Sequence, residues 1–318
     1  MKSTALAGCV LLAACVGAQH ETGSTDSGSN VPADSGESPV DSGEAESTAC
    51  SMPTAAESQT TSEIAVEGVQ REYRLSVPDA DAGVTLPIVM AFHGGNEGHH
   101  SFPQQNSFEA LVQEQGVIMV YPHAKLVLPN EGAWQLNTSD SSTQDIDFIE
   151  ALIDELSTNY CVDSNRIYAT GYSLGSMFTY ELACHLNDRF AAIASMAGTM
   201  PVEPISCVMQ DNVPIMHLHG RNDAIISYDR EWDWKEWDSV GTMMNIPGLI
   251  EYWSEQYSCQ EESETETGSV THLVHDACDD DVRVEHYSLA GGHEWPNTIS
   301  GVSTHEVVWN FVSAFSKP

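Results

Sequence analysis

Short apolar runs alternate along the chain with stretches whose apolar positions recur every third or fourth residue. Gln70–Val77 alternates apolar and polar residues and predicts a strand with one buried face. Pro87–His93, Gly116–Tyr121, Arg166–Gly171, Ala191–Met196, Val213–His219 and Val282–Leu289 are compact apolar runs and predict buried strands. Between them, Asp145–Asn159 sets Ile146, Ile149, Leu152, Ile153 and Leu156 on one helical face. Helices are also predicted over Ser101–Gln115, Gly175–Asn187, Gly248–Tyr257 and Ser303–Phe315. Apolar strands separated by amphipathic helices predict an α/β fold, a mostly parallel central sheet with helices on both faces. Sites in such sheets gather at the carboxyl ends of strands.

The first part of the chain breaks this pattern. Lys2 precedes a run of small and apolar residues, Ala5–Val16, which is too short to span a bilayer and is followed by polar sequence. Residues 1–15 therefore read as a lipoprotein-type signal peptide. Leu12-Ala13-Ala14-Cys15 resembles a lipobox, which makes Cys15 the expected lipidated residue; Leu6-Ala7-Gly8-Cys9 also fits but has almost no apolar stretch before it. An ordinary secretory peptide with an incidental Cys15 is the competing reading. Residues 16–55 form an acidic, Ser/Gly-rich tether in which Asp-Ser-Gly recurs, too polar to bury a core, so it is expected to be disordered. Residues 56–318 are the expected folded domain. The expected location is the outer membrane or cell surface, or the medium if Cys15 carries no lipid.

Charge narrows the partners. The 318 residues carry 47 Asp and Glu against 11 Lys and Arg, a net charge of −36. A chain this acidic repels a phosphate backbone, which excludes nucleic acid as a partner. Membrane contact is expected only through the lipid at Cys15. Hydrophobic residues at 41% supply enough material for a sizeable core. The excess of acid fits a setting of high ionic strength, where self-repulsion is screened.

Setting aside Cys9 and Cys15, the six remaining cysteines are an even set in an exported chain, which suggests three disulfides among fifteen pairings. Proximity favours Cys259–Cys278 and Cys184–Cys207, leaving Cys50–Cys161. No two lie at C-x-x-C spacing, so no metal is expected on them.

Candidate chemistry sits at three strand ends. Gly171-Tyr172-Ser173-Leu174-Gly175 is a G-x-S-x-G between a strand and a helix, the pattern of a nucleophile elbow. A serine nucleophile requires a base, and the base a carboxylate to orient it. Asp223 follows the strand ending at His219, and His293 follows the strand ending at Leu289, so Ser173, Asp223 and His293 are the expected catalytic residues. His286, His305 and Asp229 are rivals. The expected oxyanion donors are the N–H groups of Leu174 and Gly95, the latter in His93-Gly94-Gly95 after an earlier strand. Trp134 and Trp295 are expected substrate contacts. Trp232, Trp234 and Trp237 are either a binding wall or lid packing. His217 and His219 read as packed strand residues, with a metal pair the alternative, and Asp276 with Asp279, Asp280 and Asp281 as a solvated loop, with a Ca²⁺ site the alternative.

These motifs together resemble the polyhydroxybutyrate-depolymerase-like and feruloyl-esterase group of α/β-hydrolases, carbohydrate esterase family 1 in type. The carriers are His93-Gly94-Gly95, Cys161-Val162-Asp163, Arg166 to Gly171, the Ser173 elbow, His217-x-His219-Gly220-x-x-Asp223 and Gly292-His293-x-Trp295-Pro296. The resemblance spans about residues 63–318. It implies an α/β-hydrolase fold and a Ser173–His293–Asp223 triad without a cofactor or metal. It also implies an ester substrate, either a feruloyl or acetyl ester of plant polysaccharide or a hydroxyalkanoate ester, polymers included. A monomer is expected. Ser176, Ser227 and Glu294 depart from the group's usual Gly, Pro and Thr and bear on substrate choice. A serine peptidase, or a non-catalytic carbohydrate-binding lipoprotein on the same scaffold, are the alternatives.

Overall fold

The computed structural model describes residues 48–95, 98–128, 131–137, 143–204, 207, 209–233 and 240–318. The expected signal peptide with Cys15, most of the expected tether, Trp234 and Trp237 lie outside the described residues.

A ten-stranded sheet forms the centre. Its strands are β1 (Glu57–Val66), β2 (Val69–Val77), β3 (Leu86–Phe92), β4 (Ile118–Pro122), β5 (Val162–Tyr172), β6 (Ala192–Met196), β7 (Ile215–Gly220), β8 (Glu261–Thr267), β9 (Val270–Asp276) and β10 (Val284–Leu289). Their order is β1-β2-β4-β3-β5-β6-β7-β10-β9-β8. The run from β4 to β10 is parallel, and an antiparallel hairpin closes each edge.

Side-chain alternation on the inner strands builds two cores. Ile88, Met90 and Phe92 of β3 face one side, and Val89 and Ala91 the other. The first side is covered by α3 (Gln144–Asn159), α4 (Leu174–His185) and α5 (Ile246–Gln256), through residues such as Phe148, Phe178 and Trp253. The second is covered by α2 (Ala110–Gln115) and α6 (Thr304–Val312), through Leu111 and Phe311. Both faces of β3 are buried, so its sequence is a continuous apolar run.

Three expectations are corrected. Ser101–Gln115 is not one helix: α1 (Pro103–Asn106) ends where Ser107 turns left-handed at φ 59°, and α2 starts at Ala110. The Asn106 side chain accepts from Phe108 N–H at 3.1 Å, a local bond that competes with helix propagation. Residues 48–55 belong to the folded domain, not to the tether. Thr48–Ser51 forms a 3₁₀ turn, Cys50 is bonded to Cys161, and Thr54 bridges Ala80. Both edge hairpins also exceed the predicted strands, since β1, β8 and β9 carry no apolar alternation strong enough to mark them.

The disulfides are Cys50–Cys161, Cys184–Cys207 and Cys259–Cys278, the pairing favoured by proximity. The first closes a loop with a sequence separation of 111. Chain entropy assigns a loop of that length about 4–5 kcal/mol of stabilisation. The β2 side of the sheet is fixed by a buried ion pair, Arg71 to Asp145 at 2.7 Å, with Arg71 over the Phe148 ring. Asp145 lies in the first turn of α3, so this pair docks that helix terminus on β2.

Candidate active site

Between β5 and α4 the chain turns at Ser173, whose φ of 54° and ψ of −117° lie outside the favoured regions for an L-residue. The turn survives because its neighbours are glycines. A Cβ on Gly175 would collide with the Phe92 and His93 carbonyls, and one on Gly171 with the Gly175 carbonyl. Ser173 N–H donates to Met196 O at 2.9 Å, and Met177 N–H closes the first helical turn on Ser173 O at 3.0 Å. The hydroxyl is thereby held at the carboxyl end of the sheet, at the positive end of α4.

His293 and Asp223 lie on the loops after β10 and β7. His293 Nε2 is 2.9 Å from Ser173 Oγ, and His293 Nδ1 is 2.7 Å from Asp223 Oδ2. A carboxylate only accepts, so Nδ1 carries the proton and the Nε2 lone pair faces the serine hydroxyl. Tyr172 O–H donates to the His293 carbonyl at 3.0 Å and fixes that loop from the elbow itself. Asp223 Oδ1 accepts the Ile225 and Ile226 N–H groups, each at 2.8 Å. Burial alone would raise the Asp223 pKa. Hydrogen bonds from His219, His293 and Ile226 outweigh burial and hold the carboxyl well below its usual range.

The His93-Gly94-Gly95 loop packs on the elbow. A Cβ on Gly95 would lie 3.0 Å from Leu174 Cδ1, and one on Gly94 3.2 Å from Ser173 Cβ. His93 is 0% exposed and neutral, its pKa lowered to about 4 by burial. Its Nε2 accepts Ala124 N–H at 3.1 Å, so its Nδ1–H donates to Gly94 O at 2.8 Å. In a trans peptide the next N–H points opposite to that carbonyl, so Gly95 N–H is turned away from His93.

A second row of buried groups ends on Asp223, and the sequence reading had given it no part in the site. His219 Nε2 lies 3.2 Å from Asp223 Oδ2 and 3.1 Å from Ile226 O, both acceptors, so it carries the proton. His217 is neutral, since burial lowers its pKa well below the ordinary value, and its Nδ1 accepts from Tyr180 O–H at 2.7 Å. Its Nε2 then carries the proton and donates to His219 Nδ1 at 3.1 Å. The donors therefore run one way, from Tyr180 on α4 through His217 and His219 to Asp223. The alternation of β7 places both histidines on the sheet face that α4 covers, a cue that two-residue spacing alone carries weakly.

The rival residues are engaged elsewhere. His286 is buried in β10, with Nε2 on Tyr228 O–H at 3.0 Å and Nδ1 on His217 O at 3.1 Å. His305 lies in the first turn of α6, and Asp229 is exposed. Trp134 is corrected. It is 2% exposed, stacks on Phe178 at 4.7 Å, and donates from Nε1 to His93 O at 2.9 Å. Its ring has no free face for a substrate, and it holds the Gly95 loop from behind. Trp295 is partly buried, edge-on to Tyr172 and Phe108. Trp232 packs partly buried against the core. Asp276 pairs with Arg283, and Asp280 accepts from Asn212, at the molecular surface. Ser176 is buried with its Oγ on Ser195 Oγ, so its hydroxyl takes the room of the group's usual glycine without facing the site.

Residues 87–236 match the phospholipase/carboxylesterase family of α/β-hydrolases. A bifunctional acetylxylan esterase/xylanase of Neocallimastix patriciarum is 24% identical over 258 residues, which cover 79% of this chain and 34% of that protein. Feruloyl esterase B of Piromyces equi is 26% identical over 194 residues, which cover 60% of this chain and 35% of that protein. The chain thus spans about a third of the length of these two curated relatives. Among solved structures, an acetyl xylan esterase from Aspergillus awamori superposes with a TM-score of 0.60 at 14% identity, covering 80% of this chain and 99% of that one.

Proposed function

We propose that this α/β-hydrolase, a relative of acetylxylan and feruloyl esterases, is an exported serine esterase that cleaves acetyl or feruloyl esters of polysaccharide. The supporting observation is the Ser173 Oγ–His293 Nε2 contact of 2.9 Å on a strand–helix elbow, with His293 backed by Asp223 at 2.7 Å.

Ser173 Oγ attacks the ester carbonyl while His293 Nε2 takes its proton. The Asp223 carboxylate stabilises the imidazolium and keeps its Nδ1–H in place. The N–H groups of Leu174 and Gly95 hold the oxyanion of the tetrahedral intermediate. Collapse breaks the C–O bond, His293 returns the proton to the leaving alcohol, and Ser173 keeps the acyl group. Water, deprotonated by His293, then releases the acid and restores the serine. Trp295, between Tyr172 and the His293 loop, is the substrate contact in this reading.

Residues 1–15 act as the signal peptide, Cys15 carries the lipid, and the acidic stretch after it spaces the domain from a membrane. Three disulfides support an oxidising compartment. The fold itself acts as a monomer.

The test is a parallel assay of wild type and Ser173→Ala on acetylated xylan, methyl ferulate, hydroxybutyrate oligomers and p-nitrophenyl acetate. Wild type is expected to cleave the xylan or ferulate ester, and Ser173→Ala none while remaining folded. Turnover by Ser173→Ala, or wild-type activity only on hydroxybutyrate oligomers, would replace this reading.

A further inference from the structure

After Gly95 the loop returns through His99 and His100, which meet Glu72 of β2. His99 Nε2 lies 2.5 Å and His100 Nε2 3.6 Å from Glu72 Oε1. One nitrogen from each ring and one carboxylate oxygen fall within 4.8 Å of one another. His99 is 2% exposed, yet among the described residues neither of its ring nitrogens makes an aligned hydrogen bond, its Nε2 meeting Glu72 only as a close contact. His123 stands 4.5 Å from His99, centroid to centroid, and its buried Nδ1 also makes no hydrogen bond among the described residues. Arg74 Nη1 donates to the His100 carbonyl at 3.1 Å and pins the turn from β2.

The donor set identifies a ligand class. Two imidazole nitrogens and one carboxylate oxygen are the ligands of zinc and similar borderline cations, which tolerate an open position for water. Calcium takes six or more oxygens and finds one carboxylate here. His100 is exposed, which gives an ion a path to the buried His99. A simple Glu72–His99 pair is the competing explanation, but it would leave His99 Nδ1 and His123 Nδ1, both buried, without a hydrogen bond among the described residues.

We propose that Glu72, His99 and His100 form a binding site for a zinc-class divalent cation, which ties β2 to the loop that carries Gly95. None of the three residues belongs to the triad, so the site stands or falls apart from the esterase reading.

The test uses the full chain without a histidine tag, stripped with chelator and then dialysed against zinc or calcium, with bound metal counted by elemental analysis. Wild type is expected to retain one more zinc per chain than either Glu72→Gln or His100→Ala, to retain no calcium, and to gain Tm with zinc where the variants do not. Because His100 is exposed, His100→Ala is expected to keep the wild-type Tm in chelator, which separates lost binding from misfolding. Zinc content equal in wild type and both variants, or no zinc retained by wild type, overturns the proposal.

Discussion

Two groups of histidines are buried in this molecule and differ in what their nitrogens touch. In the first, His217, His219 and His286 stack across β7 and β10, and every ring nitrogen has a partner. In the second, His93, His99 and His123 cluster at and behind the His93-Gly94-Gly95 loop, and among the described residues His93 alone has a partner on both ring nitrogens. Desolvation lowers the pKa of His217 and His286 in the first group and of all three histidines in the second. Burial therefore does not separate a positioning histidine from a ligand histidine. The hydrogen-bond count does, because a satisfied row has one fixed direction and an unsatisfied ring keeps a lone pair to offer.

The comparison breaks hardest at the end of the first row. Asp223→Asn leaves His293 free to take the wrong tautomer and is expected to lower kcat on an activated ester by about 10³–10⁴. A loss below tenfold would show that Asp223 does not orient His293.

His219→Leu removes one donor from Asp223 Oδ2, which loosens the aim of the carboxylate at His293 Nδ1 while raising its basicity toward the imidazolium. Expected are a fall of about tenfold in kcat, corresponding to about 1.4 kcal/mol, and an upward move of the acid limb of kcat/KM. His219→Gln, whose amide can still donate, should recover most of both. A purely structural role would lower stability in both variants and leave the acid limb in place.

Acid should expose both groups at once. The folded-state pKa values of His93, His99 and His286 are lowered to about 4, 3 and 3. In the unfolded chain these residues titrate near 6.5. Between those values the unfolded state binds more protons, so stability is whole above about pH 6.5 and falls as pH drops toward 4. Urea midpoints across that window check this, and His286→Phe should flatten the slope. A midpoint independent of pH would contradict neutral burial.

Tyr180→Phe removes the first donor of the row and leaves His217 Nδ1 unpartnered, for an expected loss of about 1–2 kcal/mol in stability and a change in kcat within about threefold. The smallest effect belongs to the second group. In the presence of chelator, His100→Ala should match wild type in Tm and kcat.

Much of the site was legible because each part obeys a local rule. The elbow at Ser173 requires Gly171 and Gly175, and the loops after β7 and β10 carry Asp223 and His293 in the order the sheet demands. The His219 contact was not legible. His-x-His in a strand says only that two rings share a face, and the partner beyond them is a loop four residues on. Trp134 misled because a tryptophan's place along the chain does not say which side of a loop its ring occupies. In the fold, the apolar inner strands announced themselves, whereas β8 reads Glu-Glu-Ser-Glu-Thr-Glu-Thr and is exposed throughout. An edge strand has no second neighbour to pack on, and its row of charges discourages pairing with another chain, so the pattern that marks an inner strand is absent.

The bridge from Cys50 to Cys161 also decides how the domain bears tension. A pull on the chain ahead of residue 48 reaches Cys50 and crosses the sulfurs to Cys161, next to the first residue of β5. There it loads a strand held by β3 from Val162 to Gly171 and by β6 from Tyr168 to Tyr172. Such a strand must be sheared, with many bonds yielding together. With the bridge reduced, the same pull would travel to β1 and peel it from β2 one bond at a time. The strand that presents Ser173 at its far end would then be the mechanical root of the domain, and an oxidised Cys50 would let it be dragged without fraying.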